Sequence, residues 1–271
     1  MIWTIIWFSV CIFYLVFSII QIKSPDFKNT DLIIIVIGFM GLLASLLKHL
    51  YQNNLTCYLH WVRFKNWFRN YPVNWDLNIR FDGSFDEDVI SKIEKFIQTN
   101  QRVYDKTKVF HRTKNSLNFS VFGTLNFYLD FQPKHINNFN YDTIDISLNA
   151  FEIGSNSSKR KLESEIIPFL SKLQNILKPD NTSYVLNITF IQNNPFFTIF
   201  ISHLNPSQIK SFNINLHIDA YSRNSFKDVV TITKENIIIN ANDLHSLKEL
   251  ANDFIYLSTN VKQYLRVANY A

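Results

Sequence analysis

Glycine is scarce in this chain: five residues among 271, of which only Gly83, Gly123 and Gly154 come after residue 50. Loops that cradle a phosphate, and turns that expose a catalytic serine, need glycines at close and fixed spacings. No Walker A loop, GxGxxG, GxSxG or kinase glycine loop occurs. The sequence therefore excludes nucleotide hydrolases of the common types.

Cysteine is rarer still, with Cys11 and Cys57 alone in the sequence. Two cysteines are too few for a disulfide scaffold or a thiolate metal cluster. None of the seven histidines has the spacing of a metal site. His217 and Asp219 share one face of a predicted strand, which leaves a membrane-bound hydrolase as a remote alternative. We expect no enzyme activity, no cofactor and no metal.

Ionisable acids and bases are missing from Ile2–Ile22, a run that spans about 30 Å as a helix. No basic residue precedes this run and no small-residue cleavage site follows it, which favours a membrane helix over a signal peptide. A second apolar run, Leu32–Leu47, comes after a short polar turn. Residues 1–50 are thus predicted to form a transmembrane helical hairpin.

Basic residues cluster beside this hairpin, which predicts its orientation. Residues 1–69 hold six basic and two acidic groups, whereas the rest of the chain holds 21 and 20 and is nearly neutral. Two lysines lie in the connecting turn and four basic residues follow the second helix. By the positive-inside rule both termini and the body are cytoplasmic, at a bacterial inner membrane.

Small and polar side chains form stripes on both predicted membrane helices, and two interpretations fit them. They pack the two helices together, or they line a narrow pore in an assembly of several copies. The residues singled out as pore-facing or helix-packing are Thr4, Cys11, Tyr14, Ser18, Gly38, Gly41 and Ser45.

Residues 51–71 alternate aromatic and basic side chains, a composition typical of an element in the lipid headgroup region. Stacking on nucleic acid bases is the alternative, which the position directly after a membrane helix makes the weaker one. The predicted membrane-interface residues are Lys48, Trp61, Arg63, Lys65, Trp67 and Arg69.

Residues 72–271 read as one α+β head domain, with mostly antiparallel sheet and helices on one face. Strands are expected at 75–81, 108–112, 117–122, 124–131, 143–148, 184–190, 197–202, 212–218, 229–233 and 236–240. Helices are expected at 85–98, 161–177 and 243–257, and Pro168 should kink the second of these unless the helix breaks there. The order suggests two strand-helix-strand-strand units, although no repeated residue signature is evident.

A basic and aromatic segment near a predicted strand edge is the best candidate binding site. Cations bind phosphates and aromatic faces stack on bases, so we expect an anionic nucleotide or oligonucleotide here. The alternative is a solvated edge strand whose lysines prevent aggregation. The predicted ligand-binding residues are Arg102, Lys106, Lys108, Phe110, His111, Arg112 and Lys114.

A two-helix hairpin followed by an aromatic basic collar and a head without catalytic motifs resembles the two-transmembrane-helix effectors of bacterial anti-phage defence, in particular the Hailong-type membrane channel effectors. The resemblance implies a homo-oligomer, such as a tetramer, that forms a pore and depolarises the membrane when a ligand on the head gates it. It also implies a partner protein that synthesises the nucleotide ligand. The alternative function is a non-catalytic membrane-anchored scaffold.

Overall fold

The computed structural model describes residues 2–23, 29–70, 72–100, 107–123, 125–133, 135–136, 139–140, 142–191, 194, 196–197, 209, 211–218 and 228–255. The chain divides into two compact units, Met1–Val62 and Arg63–Ala271. We call the larger unit the head and describe each unit by itself.

The N-terminal unit is built from α1 (Ile2–Ile22), α2 (Asn29–Asn53) and the first half of α3 (Leu55–Arg69). Within α2, the stretch Asp31–Leu50 is long and apolar enough to cross a membrane, whereas the fully described apolar stretch of α1, Ser9–Ile22, is shorter than a span. One membrane span is therefore supported by length and composition, and the second predicted span is not confirmed.

Helices α1 and α2 contact each other where a tyrosine meets a glycine. Tyr14 Oη donates a hydrogen bond to the carbonyl oxygen of Ile35 at 3.2 Å, and a Cβ added at Gly38 would collide with the Tyr14 hydroxyl. Cys11 and Ser18 are buried on the same side of α1 as Tyr14. Glycine at position 38 is what lets the tyrosine side chain lie against the backbone of α2.

The described strands of the head agree closely with the alternation of apolar residues in the sequence. They are β1 (Pro72–Gly83), β2 (Lys108–Arg112), β3 (Ser116–Val121), β4 (Leu125–Gln132), β5 (His135–Ile136), β6 (Phe139–Asn140), β7 (Asp142–Gly154), β8 (Asn181–Phe190), β9 (Asn213–Ile218), β10 (Asp228–Thr233) and β11 (Asn236–Ala241). The helices of the head after α3 are α4 (Val89–Thr99), α5 (Ser155–Arg160), α6 (Ile167–Leu177) and α7 (Leu244–Ile255), with a π-helical segment (Lys161–Ile166) joining α5 to α6.

The structure differs from the predicted elements at Pro168 and at the strand expected at 197–202, among other places. Pro168 lies in the first turn of α6, directly after the π-helical segment, because a proline is tolerated where the helix begins anew. The strand expected at 197–202 is wrong at its start, since Phe196 and Phe197 are helical. The remainder of that strand lies outside the described residues.

Nine strands form one antiparallel sheet in the order β2-β3-β4-β7-β1-β8-β11-β10-β9, and β5 and β6 pair separately. Alternate residues of each central strand are buried, as in Leu77, Ile79 and Phe81 of β1. Phe169 of α6 packs on Phe119 and Phe127 of the sheet, at ring centroid distances of 6.1 and 5.2 Å. The core thus lies between one face of the sheet and the helices, which confirms the α+β class.

The strand order is symmetric about the middle of the sheet. On one side β1 pairs with the last strand of the meander β3-β4-β7, and on the other β8 pairs with the last strand of the meander β9-β10-β11. A helix follows the final strand of each meander. In their described strands and final helices, residues 72–177 and 181–255 therefore share one topology, and we call them the first and second repeat. Strand β2 has no counterpart among the described residues of the second repeat.

The strand register uncovers a repeated residue signature that the linear analysis missed. Leu77 pairs with Leu186 across the centre of the sheet, and these residues begin LNIRF in the first repeat and LNITF in the second. On the outer side of this pair, Leu77 pairs with Leu148 and Leu186 pairs with Ile239. The segments Ile146-Ser-Leu-Asn-Ala150 and Ile237-Ile-Ile-Asn-Ala241 are therefore equivalent. In each repeat the alanine faces a large buried aromatic residue, Trp75 or Tyr184.

Candidate docking surface

The stripe on α1 that the sequence offered as pore-lining is used in packing, as far as the structure describes it. Cys11 is 8% exposed and Ser18 is 5% exposed, and Tyr14 lies against Gly38. Gly41 and Ser45 on α2 are exposed, and no atom lies within 4 Å of a Cβ added at Gly41. The side chain of Thr4 lies outside the described residues.

The described residues of the segment predicted to bind an anionic ligand do not form a cluster. Arg112 makes an ion pair with Glu94 of α4 at 2.6 Å and donates to Ser91 Oγ at 2.8 Å. Lys108 and His111 are exposed, and they pair with β3 residues whose side chains lie on the sheet face away from α4. The other predicted residues are Phe110 at a register shift, 60% exposed; Lys114 in the exposed β2–β3 turn; and Arg102 and Lys106, which lie outside the described residues.

The aromatic basic collar forms helix α3, which has one buried side and one exposed side. Asn54 caps the helix, because its side-chain oxygen accepts hydrogen bonds from the backbone N–H groups of Thr56 and Cys57. Tyr58, Leu59 and Val62 are buried. Of the predicted interface residues, Lys48, Trp61 and Lys65 are exposed, whereas the side chains of Arg63, Trp67 and Arg69 lie outside the described part of the chain.

The face of the sheet that points away from the core is exposed in the described strands, and we call it the open face. In β1 the buried residues alternate with Asp76, Asn78 and Arg80, and Asn78 and Arg80 are exposed. Asn126, Tyr128 and Asn149 continue the exposed positions onto β4 and β7. Within the described residues no helix covers these positions.

The first repeat's part of the open face is polar and charged. Arg80 donates to both carboxylate oxygens of Asp145, at 2.8 and 3.3 Å, and this bond raises the pKa of Arg80. Asn78 accepts a hydrogen bond from Ser147 and donates to Asp76. The charged side chains on these rows of the described sheet are Asp76, Asp82, Asp130 and Asp145 against Arg80 and Lys108, so this half is net acidic.

The second repeat's part of the open face carries no Asp, Glu, Lys or Arg on the described strands β8 to β11. Val185, Val229 and Ile238 are partly exposed there, among asparagine and threonine residues. Asn187 sits beside Ile238, and its amide oxygen is buried without a hydrogen-bond partner in the described structure. This half is therefore apolar and amide-rich rather than charged.

Nothing in the described part of the chain supports the membrane-bound hydrolase that His217 and Asp219 suggested. His217 is exposed on β9, and Asp219 lies outside the described residues. Asp142 accepts a hydrogen bond from the backbone N–H of Phe85 at 3.1 Å, and its carboxylate closes the loop after β1. No group of three or more His, Cys, Asp or Glu that could hold a metal occurs in the searched, described part of the chain.

No protein-family model matches this chain, and no curated protein matches it either. Sequence reasoning located every strand that forms the open face but not the face itself. The signal that pointed to it was the polar half of each alternation, Asn78 and Asn187 above all, within the repeated pentapeptides.

Proposed function

We propose that this protein is a membrane-anchored docking protein, which holds its head at the cytoplasmic side of a membrane and binds a partner on the open face. The anchor is the apolar stretch Asp31–Leu50 of α2. The excess of basic residues after this stretch favours a cytoplasmic head by the positive-inside rule.

The observation that carries the proposal is a nine-stranded sheet with helices on one face and a broad exposed face on the other. Antiparallel sheets commonly leave one face to water, and such a face costs the fold nothing. Here that face is wide and differs in chemistry between its two halves, which suits recognition of a partner. Catalysis would need converging nucleophiles, acids or metal ligands, and the described residues of the face supply none.

The test is photo-crosslinking from the open face in the protein's own membranes. A photoreactive phenylalanine analogue replaces Asn78, in the middle of the open face, or Ser171, an exposed residue on α6 that serves as the control. We expect a discrete adduct from position 78 and none from position 171. Equal labelling from both positions, or none from position 78, would contradict the docking function.

A second candidate, an oligomeric channel, is favoured by the uncovered small side chains of α2. Gly41, Ala44 and Ser45 are exposed, whereas Gly38 is covered by Tyr14. Membrane helices associate through such small-residue faces, so copies of the hairpin would assemble there. A nucleotide or oligonucleotide gating ligand fits this candidate less well, because the charged half of the open face is net acidic and would repel phosphates.

Substitution of the two glycines separates packing within one copy from assembly between copies. Gly41→Leu is expected to reduce the subunit count in native mass spectrometry and to abolish membrane leakage, while the α1–α2 contact survives. Gly38→Leu is the control that disrupts the α1–α2 contact itself. A wild-type monomer, or full leakage from the Gly41→Leu variant, would eliminate the channel.

A further inference from the structure

Three apolar side chains on the open face stand where the first repeat has polar ones. By the strand register, Val185 is equivalent to Asp76, Val229 to Asn126, and Ile238 to Ser147. Val185 and Val229 pair with Asn240 from its two sides, and Ile238 lies two residues before Asn240 on the same strand face. We call Val185, Val229 and Ile238 the apolar patch.

Asn187, beside the apolar patch, is not explained by folding. Asn187 lies between Asp76 and Ile238 in the paired rows, and its buried amide oxygen has no hydrogen-bond partner among the described residues. A shielded and unsatisfied amide destabilises a fold, and a strand neighbour of Ile238 would pack better as an aliphatic residue. Asparagine nevertheless occupies this position, as it does at the equivalent Asn78.

The acidic half of the open face begins directly beside the apolar patch. Asp76 pairs with Asn187, and Asp130 lies two strands further on, next to Asp145. Arg80 neutralises Asp145. Among the described residues, the carboxylates of Asp76 and Asp130 have amide partners and no cation: Asn78 donates to Asp76 and Gln132 to Asp130. A ligand that crosses the sheet would meet apolar and amide groups first and carboxylates next.

We propose that the open face binds a polypeptide segment that carries apolar side chains at one end and lysine or arginine at the other. The apolar end lies on Val185, Val229 and Ile238, and the cationic end faces Asp76 and Asp130. From β10 to β4 the sheet covers five strand spacings, about 24 Å, which is the length of an α-helix of about 16 residues. This inference rests on the proposed docking function and names its partner.

The charge of the open face favours this partner over two others, a nucleic acid and a second copy of this chain. A nucleic acid needs cations along the surface, whereas Asp76, Asp82, Asp130 and Asp145 outnumber Arg80 and Lys108 on the described rows. A second copy of the same face brings no excess of cations either. A basic and apolar segment satisfies both halves at once, because interface cores are apolar and complementary charges at the rim steer association.

The experiment places the photoreactive analogue at Asn240, inside the apolar patch, in the full chain in its own membranes. One variant carries Val185→Asp, Val229→Asn and Ile238→Ser, which gives the second repeat the residues that the first repeat already tolerates. A second variant carries Asp76→Lys and Asp130→Lys. The control is Asp86→Lys, a charge reversal on an exposed residue before α4.

We expect a single adduct from position 240 that maps to a segment with apolar residues beside lysine or arginine. Each face variant should lower its yield roughly tenfold or more, and Asp86→Lys should leave it unchanged. An adduct that is nuclease-sensitive, that maps to this chain itself, or that resists both variants overturns the named partner, while docking at position 78 still stands. Loss of adducts from positions 78 and 240 alike overturns the docking function as well.

Discussion

The two repeats of the head share a topology but fill it with different side chains. The first repeat packs its core with aromatic rings, Phe119, Phe127 and Phe169, which are stacked or tilted at 5.2 to 6.1 Å. At the positions equivalent to the two sheet rings, the second repeat has Leu216 and Val230. The shared fold therefore requires apolar volume at these sites, not a particular residue.

The two repeats also differ on the open face, but there the difference is in charge and polarity rather than in the size of core side chains. The first repeat carries every charged side chain of the described central rows, and the second repeat carries the apolar patch. No core contact selects these residues, because they point away from the helices. Differences that packing does not require are the ones that a binding partner can explain, so the comparison of repeats leads to the docking surface.

Truncation of a core side chain to alanine should destabilise the protein more in the first repeat than in the second. Phe127→Ala removes a ring that contacts both Phe119 and Phe169, and a cost of about 3–5 kcal/mol is expected for a buried phenylalanine. The equivalent Val230→Ala removes only two methyl groups, for about 2 kcal/mol. Pulse proteolysis in urea on the full chain in detergent measures both losses, and equal losses would refute the distinction.

The alanine that faces a large aromatic residue should tolerate a larger side chain equally poorly in both repeats. Ala150 pairs with Trp75 and Ala241 pairs with Tyr184, and all four side chains are buried. Ala150→Leu and Ala241→Leu each insert three carbons beside a fixed ring, and overpacking of this kind costs about 1–3 kcal/mol. The same urea measurement checks this expectation. Tolerance of leucine at one site only would break the equivalence of the repeats there.

The second repeat has a buried acid at a position where the first repeat has a leucine. Asp228 is 0% exposed and accepts hydrogen bonds from the backbone and side-chain amides of Asn242, at 3.1 and 3.3 Å, whereas the equivalent residue of the first repeat is Leu125. Burial raises the pKa of Asp228, and the nearby Asp243 adds to the rise. Because the folded state binds the proton more tightly than the unfolded state, Asp228 lowers stability as the pH rises through its pKa.

Asp228→Asn should therefore stabilise the head at neutral pH, since it keeps the oxygen that Asn242 binds and removes the buried charge. The gain should disappear at about pH 3, where the carboxyl group is protonated in both states. Urea midpoints of the variant and the wild type at the two pH values measure it. A difference that is the same at both pH values would show that charge is not its cause.

Much of the head could be predicted from its sequence, because apolar alternation in β1, β7, β8 and β11 reflects burial on one face. The order of the strands could not, since antiparallel neighbours such as β1 and β8 are about 100 residues apart and share no local signal. The repeat was missed for the same reason: LNIRF and LNITF become equivalent only once Leu77 is seen opposite Leu186. The ion pair of Arg112 with Glu94 could not be predicted either, because Glu94 lies on another element.

The strand β2 has no counterpart among the described residues of the second repeat, and Arg112 ties it to α4. Its guanidinium contacts Glu94 at 2.6 Å and Ser91 at 2.8 Å, but 48% of the arginine side chain is exposed. Solvent screens such a pair, so Arg112→Ala should cost only about 0.2–1 kcal/mol, with Lys114→Ala as the unpaired-turn control expected to cost less. Urea midpoints at low and high salt measure it, because screening by salt should shrink the difference. A different result would contradict this role. If Arg112→Ala leaves stability unchanged but abolishes binding of a nucleotide or oligonucleotide, Arg112 binds a ligand and does not hold β2 against α4.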